Sequence, residues 1–518
     1  MNALTSRARA LSAAQWRDLL LPWALALVTG IEYFDNAIFS FFASYIAGGI
    51  NASPDELVWS SSAYAVAAVL GILQQQWWTN RLGHRDYVVG CMLLYALGAV
   101  LAAFCNTSLE LAFARGFQGY FIGPMMGACR ILIQTEFAPK PRAGAAKLFL
   151  SLILVSSALA PIAGGMLVAH LDWRALFACT APLAVMFAGL AWFALPDTGN
   201  ILPEERGSSH LWPYLLFAGA LGALQIVLQQ VRFQLFSASP LLMLMTALGL
   251  GAIAWFVYHQ WHHPKPLMRL QALRVRAFRV GLVLYIFYYF QSTGFSYLIS
   301  RFLEQGIGFP IENTGWLVGI TSLISAGSLF FYYRYSKLAP HKKWIIVPAF
   351  ATTAAISWWM AGLSPQVGEA ELILPMLLRG PFMLFVILPV AGLTFQTLAV
   401  EEFSHGYRLK NIARQLTISF ATAIIIIVEQ HRQNLHQAQL SDFVDAANPA
   451  FQATLHTLEA AYAAAGQTAS AAHALSMSAI SRMVAQQANI LASLDGFYVL
   501  MAVAICATVF ACWQRQID

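Results

Sequence analysis

The sequence predicts an all-α integral membrane protein that crosses the bilayer many times. Three observations predict it. Of 518 residues, 59% are apolar and only 10% are charged, against roughly a quarter charged in soluble domains. The mean hydropathy is +0.62. Apolar runs of spanning length, roughly 20 residues each, recur along almost the whole chain. A soluble protein of this size would form several domains, and 30 basic plus 24 acidic residues are too few to cover their surfaces.

In chain order the runs are 19–46, 57–79, 87–106, 108–132, 146–169, 174–195 and 211–231, then 239–258, 280–303, 313–333, 344–363, 371–399, 411–429 and 491–513. Fourteen spans are therefore expected. Residues 1–18 form a polar, basic cytoplasmic N-terminus that leads into a retained first span, and 514–518 a cytoplasmic C-terminus. With both ends inside, 21 of the 30 Lys and Arg fall in cytoplasmic segments, Arg408 and Lys410 among them, five in outer segments, and four (Arg115, Arg130, Arg379 and Arg414) within spans. That asymmetry is how orientation is encoded. The net charge of +6 is thus topological and does not point to nucleic acid. Six cysteines form no C-x-x-C pair, and neither metal-ligand spacing nor a phosphate-binding loop is present. Two connecting segments are long. The basic linker 259–279 is expected along the inner membrane surface. The outer loop 432–489 has apolar residues at helical spacing (Phe451, Leu455, Leu458, Tyr462; Leu475, Ile480, Met483, Val484), so it is read as one or two amphipathic helices. They pack on the protein's own rim or dock a partner.

Ionisable residues inside spans are costly and mark function by default. Glu32 and Asp35 share one face of the first span, among Tyr33 and Phe39. Two close carboxylates in a low dielectric repel, which favours taking up a proton between them. Both are read as proton-coupling residues, the alternative being a hydrogen bond to a neighbouring helix. Arg115 in the fourth span needs a partner at membrane depth, and the first-span carboxylates are available. Gln118 follows it, and Gly119, Gly123 and Gly127 make a smooth packing face. Arg130, nearer the inner end, is placed to snorkel to the interface. In the fifth span, Pro161 with Gly164 and Gly165 suits a kinked, thin helix on which two halves rock. The second half holds Arg379 and Gln291, and the aromatic run around Gln291 (Tyr285, Tyr288, Tyr289, Phe290 and Phe295) either lines an apolar cavity or faces lipid or the core. Tyr33, Phe39, Gln118, Tyr288, Gln291 and Arg379 are taken as substrate-binding candidates.

Several motifs then fall in a familiar order. FDNAIFSFFASYIAGGINASPDELVW carries Asp35, RGFQGYFIGP carries Arg115, Gln118 and Gly119, APIAGG lies in the fifth span, DWRALF opens the sixth, and ALRVRAFRVG leads into the ninth. Together they resemble the fourteen-span drug:proton antiporters of the major facilitator superfamily, in particular the EmrB-like multidrug export permeases. The resemblance covers nearly the whole chain. The loop between spans two and three, QWWTNRLGHRD, departs from the family pattern with Gln76 and Asn80 but keeps the conformational residues Arg81, Gly83 and Arg85.

The resemblance implies the major facilitator fold as 6+2+6 helices. A first lobe would occupy 19–195, two linker helices 211–258 and a second lobe 280–513. It implies alternating access around a midplane site and export of amphipathic or hydrophobic small molecules driven by the proton gradient, with no other cofactor. It implies a place in the bacterial inner membrane, with a periplasmic adaptor protein and an outer-membrane channel as partners. A dedicated exporter of one metabolite, such as a siderophore or fatty acid, is the alternative. A membrane enzyme or passive facilitator fits less well.

Overall fold

The computed structural model describes residues 13–197, 211–230, 239–263, 266–336, 341–364, 367–396, 398 and 400–515. Residues 1–12 and 516–518 of the two expected cytoplasmic termini lie outside them, as do Arg206, Arg232, Lys265 and Lys337 of the charge count.

Every element among the described residues is helical, and local chemistry explains several boundaries. The first apolar run divides into α1 (Ala13–Phe41) and α2 (Ala43–Gly49), bent by 68° at Phe42. α3 (Pro54–Leu82) begins with a capping box: the Ser53 hydroxyl accepts from the Glu56 amide at 3.2 Å, and the Glu56 carboxylate accepts from the Ser53 amide at 3.0 Å. Gly83, at φ 83°, turns the chain into α4 (His84–Ala103), a conformation that costs glycine little. The fourth run splits into α5 (Ser108–Ile122) and α6 (Met125–Glu136). The break falls at Gly123–Pro124, because Pro124 has no N–H for the preceding turn.

α7 (Pro139–His170) stays one continuous helix through Pro161. α8 (Ala175–Ala178) and α9 (Thr180–Ala194) make the sixth run, and α10 (Leu211–Gln230) and α11 (Pro240–His262) the next two. A 3-10 turn at Gln271–Arg274 precedes α12 (Arg276–Arg301). A π turn at Phe302–Ile307 follows it and ends at Gly308, φ 81°. Then come α13 (Ile311–Tyr335), α14 (Lys343–Ala361) and α15 (Glu369–Gln396). α16 (Val400–Ser441), α17 (Pro449–Ala464) and α18 (Ala469–Trp513) complete the chain.

Among the described residues, twelve helical stretches are long and apolar enough to cross a membrane, and thirteen when α1 and α2 count as one bent crossing. Large apolar side chains face outward on several of them, including Leu97 and Leu101 on α4 and Phe330 and Phe331 on α13. In water such faces would be a liability; in hydrocarbon they are the matching surface.

Two elements reach further than the apolar runs. The thirteenth run, 411–429, is only the middle of α16, which starts at Val400 and ends at Ser441. The outer loop 432–489 therefore consists of the far end of α16, the short α17 and the first part of α18. α17 packs on α18, burying Leu455, Ala472 and Ile480. The linker 259–279 is stitched to the start of α16. The Arg408 guanidinium donates to the Leu267 carbonyl at 3.4 Å, and the Arg269 amide to His405 Nδ1 at 3.1 Å. Leu267, Met268, Leu270 and Ala272 are buried beneath it.

Helices α1, α3, α4, α5, α6, α7 and α9 pack among themselves, as do α12 to α16 with α18. The two groups meet where α7 lies on α13 and α3 on α16. α10 rests on α3 and α16. Its buried Gln225 donates to Ser62 on α3 at 2.7 Å and accepts from Ser419 on α16 at 2.9 Å.

The α7–α13 seam depends on small residues. A methyl group on Gly315 would stand 2.5 Å from the Pro161 carbonyl oxygen, and one on Gly165 would touch the Glu312 backbone at 3.5 Å. Gly164 accommodates the Phe42 ring. Nothing lies within 4 Å of the corresponding position on Gly327, in the same helix. Gly315→Ala is therefore expected to cost about 1–3 kcal/mol through overpacking, while Gly327→Ala is neutral. Thermal unfolding of the two purified variants, followed by size-exclusion chromatography, checks this.

Candidate functional site

The buried charges of α1 do not form one coupled acidic pair. Each carboxylate has its own guanidinium, brought by a different helix. Asp35 and Arg115 are each 1% exposed. Arg115 Nη1 donates to both Asp35 oxygens, at 3.0 and 2.8 Å, and to Gln118 Oε1 at 3.0 Å. Its guanidinium lies 4.4 Å from the ring centres of both Phe39 and Tyr64. Phe39 and Gln118 thus wall in this pair. α5 is held against α3 closely enough to place Arg115 because Gly119 and Gly123 face the backbone at Tyr64 and Ala68.

Glu32, one helical turn away, is fully buried and reaches across to the second helix group. Arg414 Nη2 on α16 donates to Glu32 Oε1, and Gln415 donates to the same oxygen at 3.4 Å. Arg414 is oriented by Asn411, whose Oδ1 accepts from Nε at 2.8 Å and whose amide donates to the Gly123 carbonyl at 3.3 Å. Tyr33 lies under the Arg414 guanidinium, 5.1 Å from it. α1 is thus tied to its own group through Asp35 and to the other group through Glu32.

Further along the seam, Arg379 on α15 donates to the Gln291 carbonyl at 3.1 Å and stands 3.8 Å from the Phe295 ring centre. The Gln291 amide donates to the Leu500 carbonyl. Tyr288 packs edge-on against Tyr289 at 5.1 Å. Tyr33 thus faces the second group through Arg414, while Gln291 and Arg379 bond within that group, to α18 and α12. Arg130 does not extend to the interface: its Nη1 is buried and its guanidinium faces Phe403 at 5.9 Å.

The remaining sequence candidates lie elsewhere. Arg81 stacks on Trp77 at 3.7 Å, and Arg85 bridges Asp86 at 3.1 Å and Asp197 at 2.8 Å, at the α3–α4 turn around Gly83. Asn80 accepts from Gln76 at 2.7 Å. Pro161, Gly164 and Gly165 are in the α7 seam already described.

Several residues were missed because they sit at the edges of apolar runs. Lys410 and Arg408 read as cytoplasmic charges, yet they are 2% and 1% exposed. Their signal was present in the recurrence of Phe403, Tyr407, Lys410 and Arg414 at helical spacing, which continues the span inward. Glu429 is buried and accepts from Tyr297 at 3.1 Å and Ser493 at 3.0 Å while pairing with Arg301 at 3.0 Å. Next to it, Arg432 and His436 meet one oxygen of Asp495, each at 2.6 Å. Among the described residues no group of three or more His, Cys, Asp or Glu is arranged to hold a metal ion.

The sequence profile of the Major Facilitator Superfamily matches residues 25–422. The chain belongs to this superfamily. Its relatives include the multidrug export protein EmrB of Escherichia coli K12, 22% identical over 85% of this chain and 86% of that one. The probable multidrug resistance protein EmrY of the same organism is 22% identical over 85% of each. The fatty acid resistance protein FarB of Neisseria gonorrhoeae is 19% identical over 84% and 85%. Within the superfamily the transporter is thus EmrB-like. Its fold is shared with a bacterial homologue of the lysosomal transporter Spinster in an inward-facing, occupied conformation (TM-score 0.59, 12% identity, 97% of both chains). The D-xylose–proton symporter shares it too (TM-score 0.58, 14% identity, 79% of this chain and 90% of that one). This superfamily member is a multi-pass membrane protein.

Breaking a buried ion pair by removing one partner costs about 3–5 kcal/mol, because the survivor is left as an unpaired buried charge. Arg115→Gln is therefore expected to destabilise the transporter by that order. The double variant Arg115→Gln/Asp35→Asn is expected to regain most of the loss. Melting temperatures of the three proteins in one detergent test it; equal stability of the single and double variants would contradict the pairing.

Proposed function

We propose that this chain is a proton-coupled exporter of amphipathic or hydrophobic small molecules, working by alternating access in a bacterial inner membrane. The observation that carries the reading is the buried Asp35–Arg115 pair with Gln118. A proton on Asp35 cancels the charge that holds Arg115, so proton occupancy alters how tightly α1 and α5 are bound. Glu32 and Arg414 supply the second element, a charge pair that spans the two helix groups. Loosening it lets the groups rock about the α7–α13 seam. Arg81, Gly83 and Arg85 at the inner α3–α4 turn, and Pro161, Gly164 and Gly165 in α7, are the conformational parts. The relatives named for multidrug export and resistance support drug efflux.

In this reading α5 and α6 together are one crossing, the apolar run 108–132, broken at Gly123–Pro124 into two helices each shorter than a span. Counting it and the bent α1–α2 crossing makes fourteen spans with both termini cytoplasmic, as two six-helix lobes (19–195 and 280–513) joined by the helices of 211–258. Tyr33, Tyr288, Gln291 and Arg379 contact substrate at the seam, and the proton gradient is the only cofactor. We read the chain as a transporter rather than an enzyme. The outer part of α16, α17 and the start of α18 dock a periplasmic adaptor protein that connects to an outer-membrane channel. A second reading, export of one metabolite class such as a fatty acid, takes its support from the name of FarB.

Two outcomes follow. In inside-out proteoliposomes, Asp35→Asn abolishes substrate uptake driven by a pH gradient while the protein remains folded; undiminished gradient-driven uptake by the variant would defeat the coupling role. Deleting 440–485 removes export from intact cells but keeps transport in proteoliposomes. Equal activity of the deleted and full-length proteins in both assays would argue against docking.

A further inference from the structure

At the outer end of the molecule, the bend between α1 and α2 leans on the end of α12. Phe41 closes α1, and the last carbonyls of a helix have no partner within it. The Phe41 carbonyl accepts from the Ser300 hydroxyl of α12 at 3.0 Å, a bond that joins the two helix groups. Ser300 is buried. Phe41 and Phe42 share an apolar cluster with Ile311 at the start of α13, and the Phe42 ring sits over Gly164. The same hydroxyl lies 3.1 Å from Oε1 of Glu304, in the π turn that follows α12. A serine hydroxyl has one proton to donate, and here it faces two acceptors.

Glu304 is partly exposed. Among the described residues, the charged or titratable groups that act on it are Arg301 on its own helix and Tyr45 on α2. Arg301 is already paired with Glu429. α18 meets the turn through the neutral Gln486, which donates to the Gly306 carbonyl at 2.8 Å; Arg482, one turn earlier, is exposed. The first turn of α13 carries Glu312, whose backbone faces Gly165 on α7. Ionised, Glu304 can only accept, and its charge-assisted bond draws the serine proton away from Phe41. The carbonyl at the bend then lacks its donor, which is costly beside a buried cluster. Protonated, Glu304 donates to Ser300 Oγ, and the serine donates to Phe41, so the relay is unbroken. We propose that Glu304 is a proton-binding residue of the outer closure: protonated, it latches the α1–α2 bend to α12, and ionised, it frees the bend and lets the outer side open. A proton taken from the outer side thus closes the side it came from. The use of this latch in transport rests on the alternating-access reading; the latch itself does not.

The test reads the distance between the outer ends of the two groups by double electron–electron resonance, on the full chain in nanodiscs of zwitterionic lipid. Spin labels are placed through His170→Cys at the end of α7 and Glu371→Cys at the start of α15, both exposed positions. The less buried native cysteines, Cys179, Cys506 and Cys512, are replaced by alanine. Raising the pH from about 5 to about 9, across the range in which partly buried carboxyls titrate, is expected to increase the ratio of long to short distances. The increase is about fivefold, the equivalent of one hydrogen bond. Glu304→Gln, whose neutral amide donates to Ser300 as the protonated acid does, is expected to keep the short distance at both pH values. Ser300→Ala, which removes the relay, is expected to favour the long distance at both. Both variants retain the paired Asp35 and Glu32, so a pH response that survives undiminished in Glu304→Gln belongs to those residues and overturns the proposal. No response with Glu304 and Ser300 both in place overturns it as well. A response abolished by Glu304→Gln, in a protein that shows no gradient-driven uptake in proteoliposomes, upholds the latch and defeats the export reading instead.

Discussion

Charge buried at membrane depth must be matched, and in this chain the matching is done between helices rather than within them. Asp35 and Glu32 are one turn apart on α1, where repulsion would set them against each other. Each is instead answered by a guanidinium from elsewhere, Arg115 on α5 and Arg414 on α16. One helix is thereby held by charge to both halves of the bundle. Because the dielectric is low, each pair is strong while intact, and a lone partner is expensive when it breaks. An element held in this way to both groups can shift only by breaking one of the pairs.

The packing around these pairs lets the charges meet. Gly119 and Gly123 bring α5 onto α3, and Gly315 and Gly165 bring α13 onto α7. Neither contact gains from a hydrophobic drive, since lipid is as apolar as the side chains; close backbone approach and dispersion supply the attraction instead. Gln225 adds a polar link from α10 to both α3 and α16. Of the two central helices, α10 is therefore bonded to the seam, and α11 packs on α10.

The sequence was most legible where a rule acts locally. Hydropathy located the apolar runs, and intramembrane charge pointed to Glu32, Asp35, Arg115, Arg379 and Arg414. It was least legible at run ends. A window that stops at charged residues cut α16 short at residue 411 and assigned Lys410 and Arg408 to the cytoplasm. Their burial depends on the linker at 267–274 folding over the start of α16, a contact between segments more than a hundred residues apart. Glu429 and Arg301 were passed over for the same reason: each sits at the end of its own run, and only the meeting of α12, α16 and α18 encloses them.

By itself the sequence determined the class of the molecule, the approximate course of its spans and the short set of charges that membrane burial makes costly. Those follow from composition and from the transfer energy of each side chain, which are properties of residues one at a time. Only the tertiary structure decided which carboxylate faces which arginine, that Phe39 and Gln118 wall in the Asp35 pair, and that Lys410 stands among tyrosines. Such facts depend on the rotation and closeness of helices far apart in the chain. Helix periodicity limits which residues share a face, but not which neighbour that face will meet.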